Sequence, residues 1–298
     1  MFKNMLIFRI AGDFNVNAVD WEAALSGSRF VPCGASEEQS LGWVEPRDEA
    51  NGPLVESVGG QLLLKAMVET RTLPASEIAK QAKLRAAVIE QETGRKPGKK
   101  EMNEIKEQVR LELMPRAFSK ETAVLVWIDP VNRWVVVGAA SLARADPVLT
   151  LLLQCVSGLG VVFVETQKSP SAAMSIWLLT QEAPGNFSVD RECVLKAGDE
   201  SKTTVKYGEH PLDIDEVSAH VKFGMMPVSL AMTWDGRVSF VLTDKLQVKK
   251  IKFTNSVMND KAENQKDEFD TNFAIFTGEM VKFLPELIGA LDGLQEAG

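Results

Sequence analysis

The feature that most constrains the fold is an abrupt change of composition between Ser76 and Lys120. Runs of β-branched residues stop there, and Ala, Glu, Lys and Arg take over. Apolar residues recur at helical spacing from Ile78 to Ile89 and again from Met102 to Leu113, and the connector Gly94–Gly98 separates the two stripes. This spacing predicts two amphipathic helices joined as an inserted αα-hairpin. Their apolar stripes are narrow, so we expect the hairpin to protrude with most of its surface in solvent.

Strand and turn signals flank this insertion on both sides. The strongest is the Asp235-Gly236 turn between two β-rich runs, followed by Asp129-Pro130 between two more. The chain is therefore predicted to be α+β, with largely antiparallel or mixed sheets and packed helices. The predicted strands are Met5–Ile10, Gln61–Val68, Thr122–Ile128, Arg133–Gly138, a buried strand Val161–Glu165, a strand-like run Val217–Phe223, Val228–Trp234, Arg237–Thr243 and Leu246–Phe253.

Helix signals occupy four further segments. Asp146-Pro147 and Ser169-Pro170 each offer an N-cap followed by proline at the first helical position, which predicts helices running to Cys155 and Gln181. Two amphipathic stretches, Asn17–Leu25 and Asn272–Leu291, complete the set, and the charged stretch Asn259–Asp270 is expected to be a loop. The predicted units are a central α+β region (1–75 and 121–182), a helical tip carrying a basic connector and a gate (76–120), and a C-terminal α+β base (183–298).

Charge is divided unevenly along the chain. The formal net charge is -8, yet residues 76–120 hold 11 basic and 7 acidic residues, so that segment is +4 and the remainder is -12. A uniformly acidic surface would repel nucleic acid, whereas a local basic patch can still neutralise phosphates. The densest patch is formed by the connector and the two residues that follow it, where Arg95, Lys96, Lys99 and Lys100 (called the connector cations below) occur without an acidic residue among them. The alternative is a solvated loop that keeps the tip soluble.

Other functional classes find little support in the residues. The connector is not a phosphate-binding P-loop, because only three residues separate its glycines and no Ser or Thr follows Lys100. The two histidines, His210 and His220, have no partner at metal-ligand spacing. We therefore expect no metal, no cofactor and no enzymatic activity, although abundant carboxylates leave a metal-dependent DNA-processing enzyme as an alternative.

Cysteine usage and hydropathy bear on the compartment. Cys33, Cys155 and Cys193 are widely separated and outside any CxxC spacing, so reduced and mostly buried thiols are expected. No apolar run is long enough to cross a bilayer, and the N-terminal residues lack a signal-peptide pattern. We expect a cytoplasmic protein with no membrane partner.

Several short motifs resemble those of one bacterial family in the same order along the chain. Met114-Pro115-Arg116-Ala117-Phe118-Ser119 is similar to the Leu-Pro-Arg-Ala-Phe-Ser signature of the recombination-associated RdgC family. Phe30-Val31-Pro32-Cys33-Gly34 resembles its Phe-x-Pro-Cys-Gly, and Gln91 to Lys96 its Gln-Gly-Arg-Lys connector. Further similarities extend the match over nearly the whole chain; they lie at Phe2-Lys3-Asn4, Leu41 to Val44, Val126 to Asp129, Leu230 to Trp234, Ile251 to Phe253 and Phe273 to Gly278.

This resemblance implies a ring-shaped homodimer that encircles double-stranded DNA without sequence preference, with single-stranded DNA left open as a second ligand. It implies nucleoid association and antagonism of the recombinase RecA, whose DNA substrate the ring would occupy. Phe118 would be the apolar contact at a dimer gate, for which an ordinary core aromatic is the alternative. DNA would contact Arg95 in the connector, Arg116 beside the gate and, where the family carries a basic pair, Lys206. The complete set of candidate DNA-binding residues is Arg95, Lys96, Lys99, Lys100, Arg116, Lys120 and Lys206. A protein-interaction scaffold without DNA affinity is a third possibility.

Overall fold

The computed structural model describes residues 1–12, 14–198, 203–254 and 265–295. Within these ranges the chain forms two antiparallel sheets and seven α-helices, so the predicted α+β class is confirmed. The helices are α1 (Ala18–Ser26), α2 (Ala75–Thr93), α3 (Lys99–Leu113), α4 (Leu142–Cys155), α5 (Pro170–Thr180), α6 (Asp215–Lys222) and α7 (Gln265–Ala290). Ser169 caps α5 through its side-chain oxygen, as the sequence predicts, and Asn17 caps α1 in the same way.

The first sheet has seven strands and is built around one long two-stranded ribbon. Its strands are β1 (Leu6–Ala11), β2 (Gln39–Val44), β3 (Val55–Val58), β4 (Gln61–Thr72), β5 (Phe118–Asp129), β6 (Trp134–Val137) and β7 (Gly160–Phe163). Their order is β2-β4-β5-β6-β1-β7, and β3 also pairs with β4. Strands β4 and β5 remain in register from the pair Leu62 and Ile128 to the pair Thr72 and Phe118. Helices α2 and α3 are inserted at the second of these pairs.

The second sheet has five strands. These are β8 (Phe187–Ala197), β9 (Thr204–Tyr207), β10 (Met225–Trp234), β11 (Val238–Thr243) and β12 (Val248–Phe253), in the order β12-β11-β10-β8-β9. The predicted Asp235-Gly236 hairpin joins β10 to β11, and both turn residues have positive φ, at 48° and 60°. Arg237 completes the three-residue loop between the paired residues Trp234 and Val238, and the positive φ values match the turn to the twist of its strands.

Two apolar clusters hold the layers together. One packs α1 and α4 on one face of the first sheet. The other joins the opposite face of that sheet to α5, α7 and the second sheet. Phe276 of α7 shows how the second cluster bridges the layers, since its ring stacks on Phe2 at 4.7 Å and meets Trp127 and Phe253 edge-on. Burial of large aromatic rings on both sides makes α7 the main link between the sheets.

The N-terminal segment provides a second link between the sheets. The backbone N–H of Met5 donates to the carbonyl of Val248 at 2.7 Å, and the N–H of Val248 donates back to Met5 at 3.1 Å. Ile251 N–H donates to the carbonyl of Lys3 nearby. This short ladder ties the start of the first sheet to β12.

The predicted start of α4 is wrong by five residues. The helix begins at Leu142 with Ser141 as N-cap, and Pro147 lies inside it. Proline lacks the backbone N–H that would donate to Ala143, but only this bond is missing so near the helix start. Burial of Ala145 together with Val148 accounts for the earlier start, because the additional turn packs against the first sheet.

Three further predictions are corrected. The predicted buried strand Val161–Glu165 is the short edge strand β7, whose Val162 and Phe163 are exposed. The strand-like run Val217–Phe223 is helical up to Lys222 as part of α6, whose first turn holds Asp215 and Glu216, acidic residues that favour a helix N-terminus. Within the predicted loop Asn259–Asp270, residues 265–270 are helical, and residues 259–264 lie outside the described part of the chain.

Candidate nucleic-acid interface

Helices α2 and α3 pack against each other through a small apolar cluster. Ala82, Ile105 and Val109 are its buried members, with partly buried side chains around them. Arg85 of α2 also forms a bidentate ion pair with Glu112 of α3. This hydrogen bonding with Arg85 lowers the pKa of Glu112. The packing is thin, so most of both helices faces solvent.

The connector between the two helices is at the end remote from the first sheet. Gly94 ends α2 in the left-handed region with φ of 72°, a conformation that favours glycine. Gly98 precedes α3 and donates its N–H to the Glu101 side chain. Because α3 has 15 residues and a helix rises about 1.5 Å per residue, the connector lies ~22 Å from the sheet end of that helix.

The connector cations are exposed. The side chain of Arg95 is 69% exposed and pairs with Glu101 at 3.3 Å, while Lys96 is 82% exposed and lies 3.9 Å from Glu90. Lys99 and Lys100 occupy the first turn of α3 and, among the described residues, form no ion pair. They add their charge to the positive end of the helix dipole. The connector therefore concentrates positive potential at one point of an acidic protein.

Phe118 lies at the other end of the helix pair, where β5 begins. Its side chain is 86% exposed, so the alternative of a core aromatic is wrong. Arg116, in a short 3-10 turn after α3, and Lys120, two residues along β5, are also exposed. The three side chains share the sheet end of the helix pair.

A buried carboxylate anchors the strand that carries Phe118. Glu69 of β4 accepts hydrogen bonds from the Ser119 hydroxyl and, at 2.6 Å, from the backbone N–H of Cys33. These two bonds lower the pKa of Glu69, with the Ser119 contribution the larger. Burial, followed by contact with Glu69, raises the pKa of the Cys33 thiol. Glu69 is not among the predicted site residues; it lies one residue beyond the predicted strand Gln61–Val68, and a glutamate there favours exposure over burial.

The loop that contains Cys33 is fastened to the same end of the sheet. Arg71 of β4 donates from its guanidinium to the carbonyls of Cys33, Gly34 and Ala35. Arg110 of α3 forms an ion pair with Glu38 at the end of this loop. The Phe-x-Pro-Cys-Gly motif thus braces the root of the helix pair beside Phe118.

The structure separates the candidate site residues into three places. The four connector cations form one group, Arg116, Phe118 and Lys120 form a second at the far end of α3, and Lys206 lies on β9 in the other sheet. Lys206 lines a depression of about 580 Å³ together with Arg191 and three carboxylates, those of Asp190, Glu192 and Glu209. These carboxylates offset its charge, so Lys206 is the weakest candidate for a phosphate contact.

Two features of the described residues bear on other functional classes. No helix in that part of the chain has the length and apolarity needed to cross a membrane. In the same residues, no three His, Cys, Asp or Glu side chains come together in a way that could hold a metal ion. The two histidines instead flank Tyr207, with ring centroids 6.2 and 6.4 Å from its ring.

Comparison with known proteins gives end-to-end matches. The family model described as "Putative exonuclease, RdgC" matches residues 1–294. A protein of Dechloromonas aromatica is 40% identical over 298 residues, covering 98% of this chain and 97% of the relative. One from Cupriavidus necator is 42% identical over 299 residues and covers 99% of each chain, and one from Bordetella pertussis is 40% identical over 295 residues and covers 98% of each. All three relatives are named recombination-associated protein RdgC.

Proposed function

Because this chain belongs to the RdgC family of recombination-associated proteins, we propose that it binds double-stranded DNA without sequence preference. In this proposal two copies close into a ring around the duplex, and the occupied DNA is withheld from RecA. The protein acts by binding and catalyses no reaction. It works in the cytoplasm at the nucleoid.

The cationic connector is the observation that carries the proposal. Four cations project at the end of a thin helix pair, while the rest of the chain is acidic. Lysine and arginine at such a site can neutralise phosphates and release counterions, which gives affinity without base readout. The acidic remainder discourages binding of DNA elsewhere on the surface.

The placement of Phe118 supports ring closure as the mode of binding. An exposed aromatic ring on a braced strand end offers a rigid apolar contact, and a second copy of the same ring is a suitable partner for it. The helix pair of each copy would then project beside the closed gate and bring its connector to the DNA.

Binding measured against salt concentration tests the electrostatic mechanism. Fluorescence anisotropy with unrelated duplexes of equal length should give similar affinities and a steep negative slope, about 0.9 for each phosphate neutralised. Replacing both Lys99 and Lys100 with Ala should reduce that slope by about 1–2 on every duplex. Lys222→Ala, at the end of α6, is the matched control and should leave it unchanged.

A salt slope of zero in the parent protein would rule out contacts to the DNA phosphates. Binding to only one of the unrelated duplexes would rule out sequence-independent binding. No affinity for any duplex would favour a protein-interaction scaffold. The enzyme alternative is tested by incubating linear and circular duplex with purified protein and magnesium ions. Cleavage in proportion to protein concentration would overturn the proposal that the chain is not an enzyme.

A further inference from the structure

A groove of about 830 Å³ lies at the junction of the two sheets, and no residue of α2 or α3 lines it. One wall comes from β1, β7 and the start of α4, and the other comes from β11, β12 and the turn between them. The backbone ladder between Met5 and Val248 joins β12 to the segment before β1, so the walls are held in place. The volume is within the range of roughly 300–1,000 Å³ typical of ligand sites.

The first wall presents an open aromatic ring. Phe163, on the edge strand β7, is 59% exposed and lines the groove. Its ring rests against that of buried Phe8 at a centroid distance of 5.3 Å, so its position is supported from beneath. Proteins that bind single strands use such rings as platforms on which unstacked bases lie.

The second wall supplies positive charge. Lys245 and Lys249 line the groove beside Asp244, and neither lysine forms an ion pair within the described residues, so this wall keeps a net positive charge. Lys250 also lines it, but its charge is engaged by Glu192 at 2.6 Å. On the first wall, α4 begins at Leu142, which places the positive end of its helix dipole at the groove.

We propose that this groove binds a single strand of DNA, with one unstacked base against Phe163 and neighbouring phosphates near Lys245 and Lys249. The inference rests on the proposed function, in that DNA is the ligand, but it assigns a second site. A duplex keeps its bases stacked and offers no free base face to Phe163, whereas a single strand does. Charge complementarity favours this polyanion over an apolar or a basic peptide.

Binding of a short oligothymidylate and of a duplex, each followed by anisotropy, tests the proposal. Phe163→Ala should weaken oligothymidylate binding roughly tenfold and leave duplex binding unchanged. Phe163→Trp keeps the platform and should retain the affinity. Phe223→Ala is the matched control, because Phe223 is 88% exposed in the turn after α6 and away from the groove.

Lys249→Ala provides an independent test that leaves the aromatic ring intact. It should reduce the salt slope for the oligothymidylate by about 0.7 for each phosphate that Lys249 neutralises in the parent protein, with no change for the duplex. Melting curves for all variants check that each is folded.

Equal oligothymidylate affinity in the Phe163→Ala and Phe223→Ala proteins would overturn the inference and leave the proposed function standing. A change from dimer to monomer in Phe163→Ala would also overturn it, because the edge of β7 would then be occupied by a second copy. Failure of the proposed function gives a different result, because the parent protein would then bind neither the oligothymidylate nor the duplex.

Discussion

The carboxylate of Glu69 accepts a hydrogen bond from the hydroxyl of Ser119, the residue next to the exposed ring of Phe118. Glu69 is buried on β4 and also receives the N–H of Cys33. One side chain therefore fixes the start of β5 and the loop around Cys33 at the root of the helix pair. This contact makes the orientation of Phe118 dependent on the charge of a residue that never reaches the surface.

Glu69→Gln should lower the melting temperature at neutral pH, because the variant cannot form the charge-assisted bonds from Ser119 and Cys33. Since the folded-state pKa of Glu69 is lowered from its ordinary 4.5, its contribution to stability is present above that value. The contribution is lost as pH falls through the folded pKa. The difference between parent and variant should thus shrink in acid, as followed by thermal melting from pH 7 to pH 3.

Glu121→Gln is the control, since Glu121 is exposed on the paired strand, opposite Glu69. It should melt like the parent throughout. A Glu69→Gln deficit that is constant over this pH range would refute the assignment of the effect to the ionised carboxylate.

Phe118→Ala should leave stability within about 0.5 kcal/mol of the parent, because the ring is exposed. Under the proposed ring mechanism, a second interface at the C-terminal base also joins the two copies. The variant should therefore lose retention on closed circular DNA after a high-salt wash more than it loses dimerisation. Val131→Ala, an equally exposed apolar residue in the turn after β5, serves as the control. Equal retention by all three proteins would remove Phe118 from the gate.

Ile105→Ala should destabilise the helix pair by about 2–5 kcal/mol, because Ile105 is one of the few buried residues between α2 and α3. Val88→Ala, on the exposed side of α2, should change stability by no more than about 0.5 kcal/mol. Hydrogen exchange measured by mass spectrometry should show faster exchange in α2 and α3 of the Ile105 variant alone. Faster exchange spread evenly over both sheets would contradict a locally stabilised pair.

Cys193 should resist alkylation in the folded protein. Burial raises the pKa of its thiol from 9.0 to about 12, so the reactive thiolate is scarce at pH 8. Half-buried Cys155 should react first with iodoacetamide, and Cys193 only after unfolding, as mapped by mass spectrometry. Because the folded-state pKa is raised, the stability due to the neutral thiol should fall as pH rises above 9.0. Rapid labelling of Cys193 at pH 8 would contradict its burial.

The sequence predicts much of the architecture where the signals are local. Helical spacing located α2 and α3, and the Asp235-Gly236 turn located the hairpin of β10 and β11. Predictions failed where tertiary packing decided the outcome. Proline at position 147 suggested a helix start, yet burial of Ala145 extends α4 by five residues, and the apolar run at β7 suggested a core strand although it forms a sheet edge.

The candidate site was predictable only where its residues are close together in the sequence. Composition alone identifies the connector cations, because they are close together in the sequence. It does not show that Arg116 and Lys120 lie apart from these cations; that follows from the predicted helix Met102–Leu113, which the structure confirms as part of α3. Nor can it find Glu69, whose partners Cys33 and Ser119 are 36 and 50 residues away along the chain.

The pairing of Thr72 with Phe118 allows the helix pair to change in length without disturbing the sheet. Residues 73–117 begin and end at the paired residues Thr72 and Phe118. For the sheet, the whole insertion is therefore a loop whose two ends are held together by this pair. Loop-closure entropy grows only slowly with loop length. Whole helical turns can therefore be added to or removed from the helix pair with little effect on the pairing of β4 and β5. The distance from the first sheet to the connector can therefore differ between related proteins whose sheets are the same.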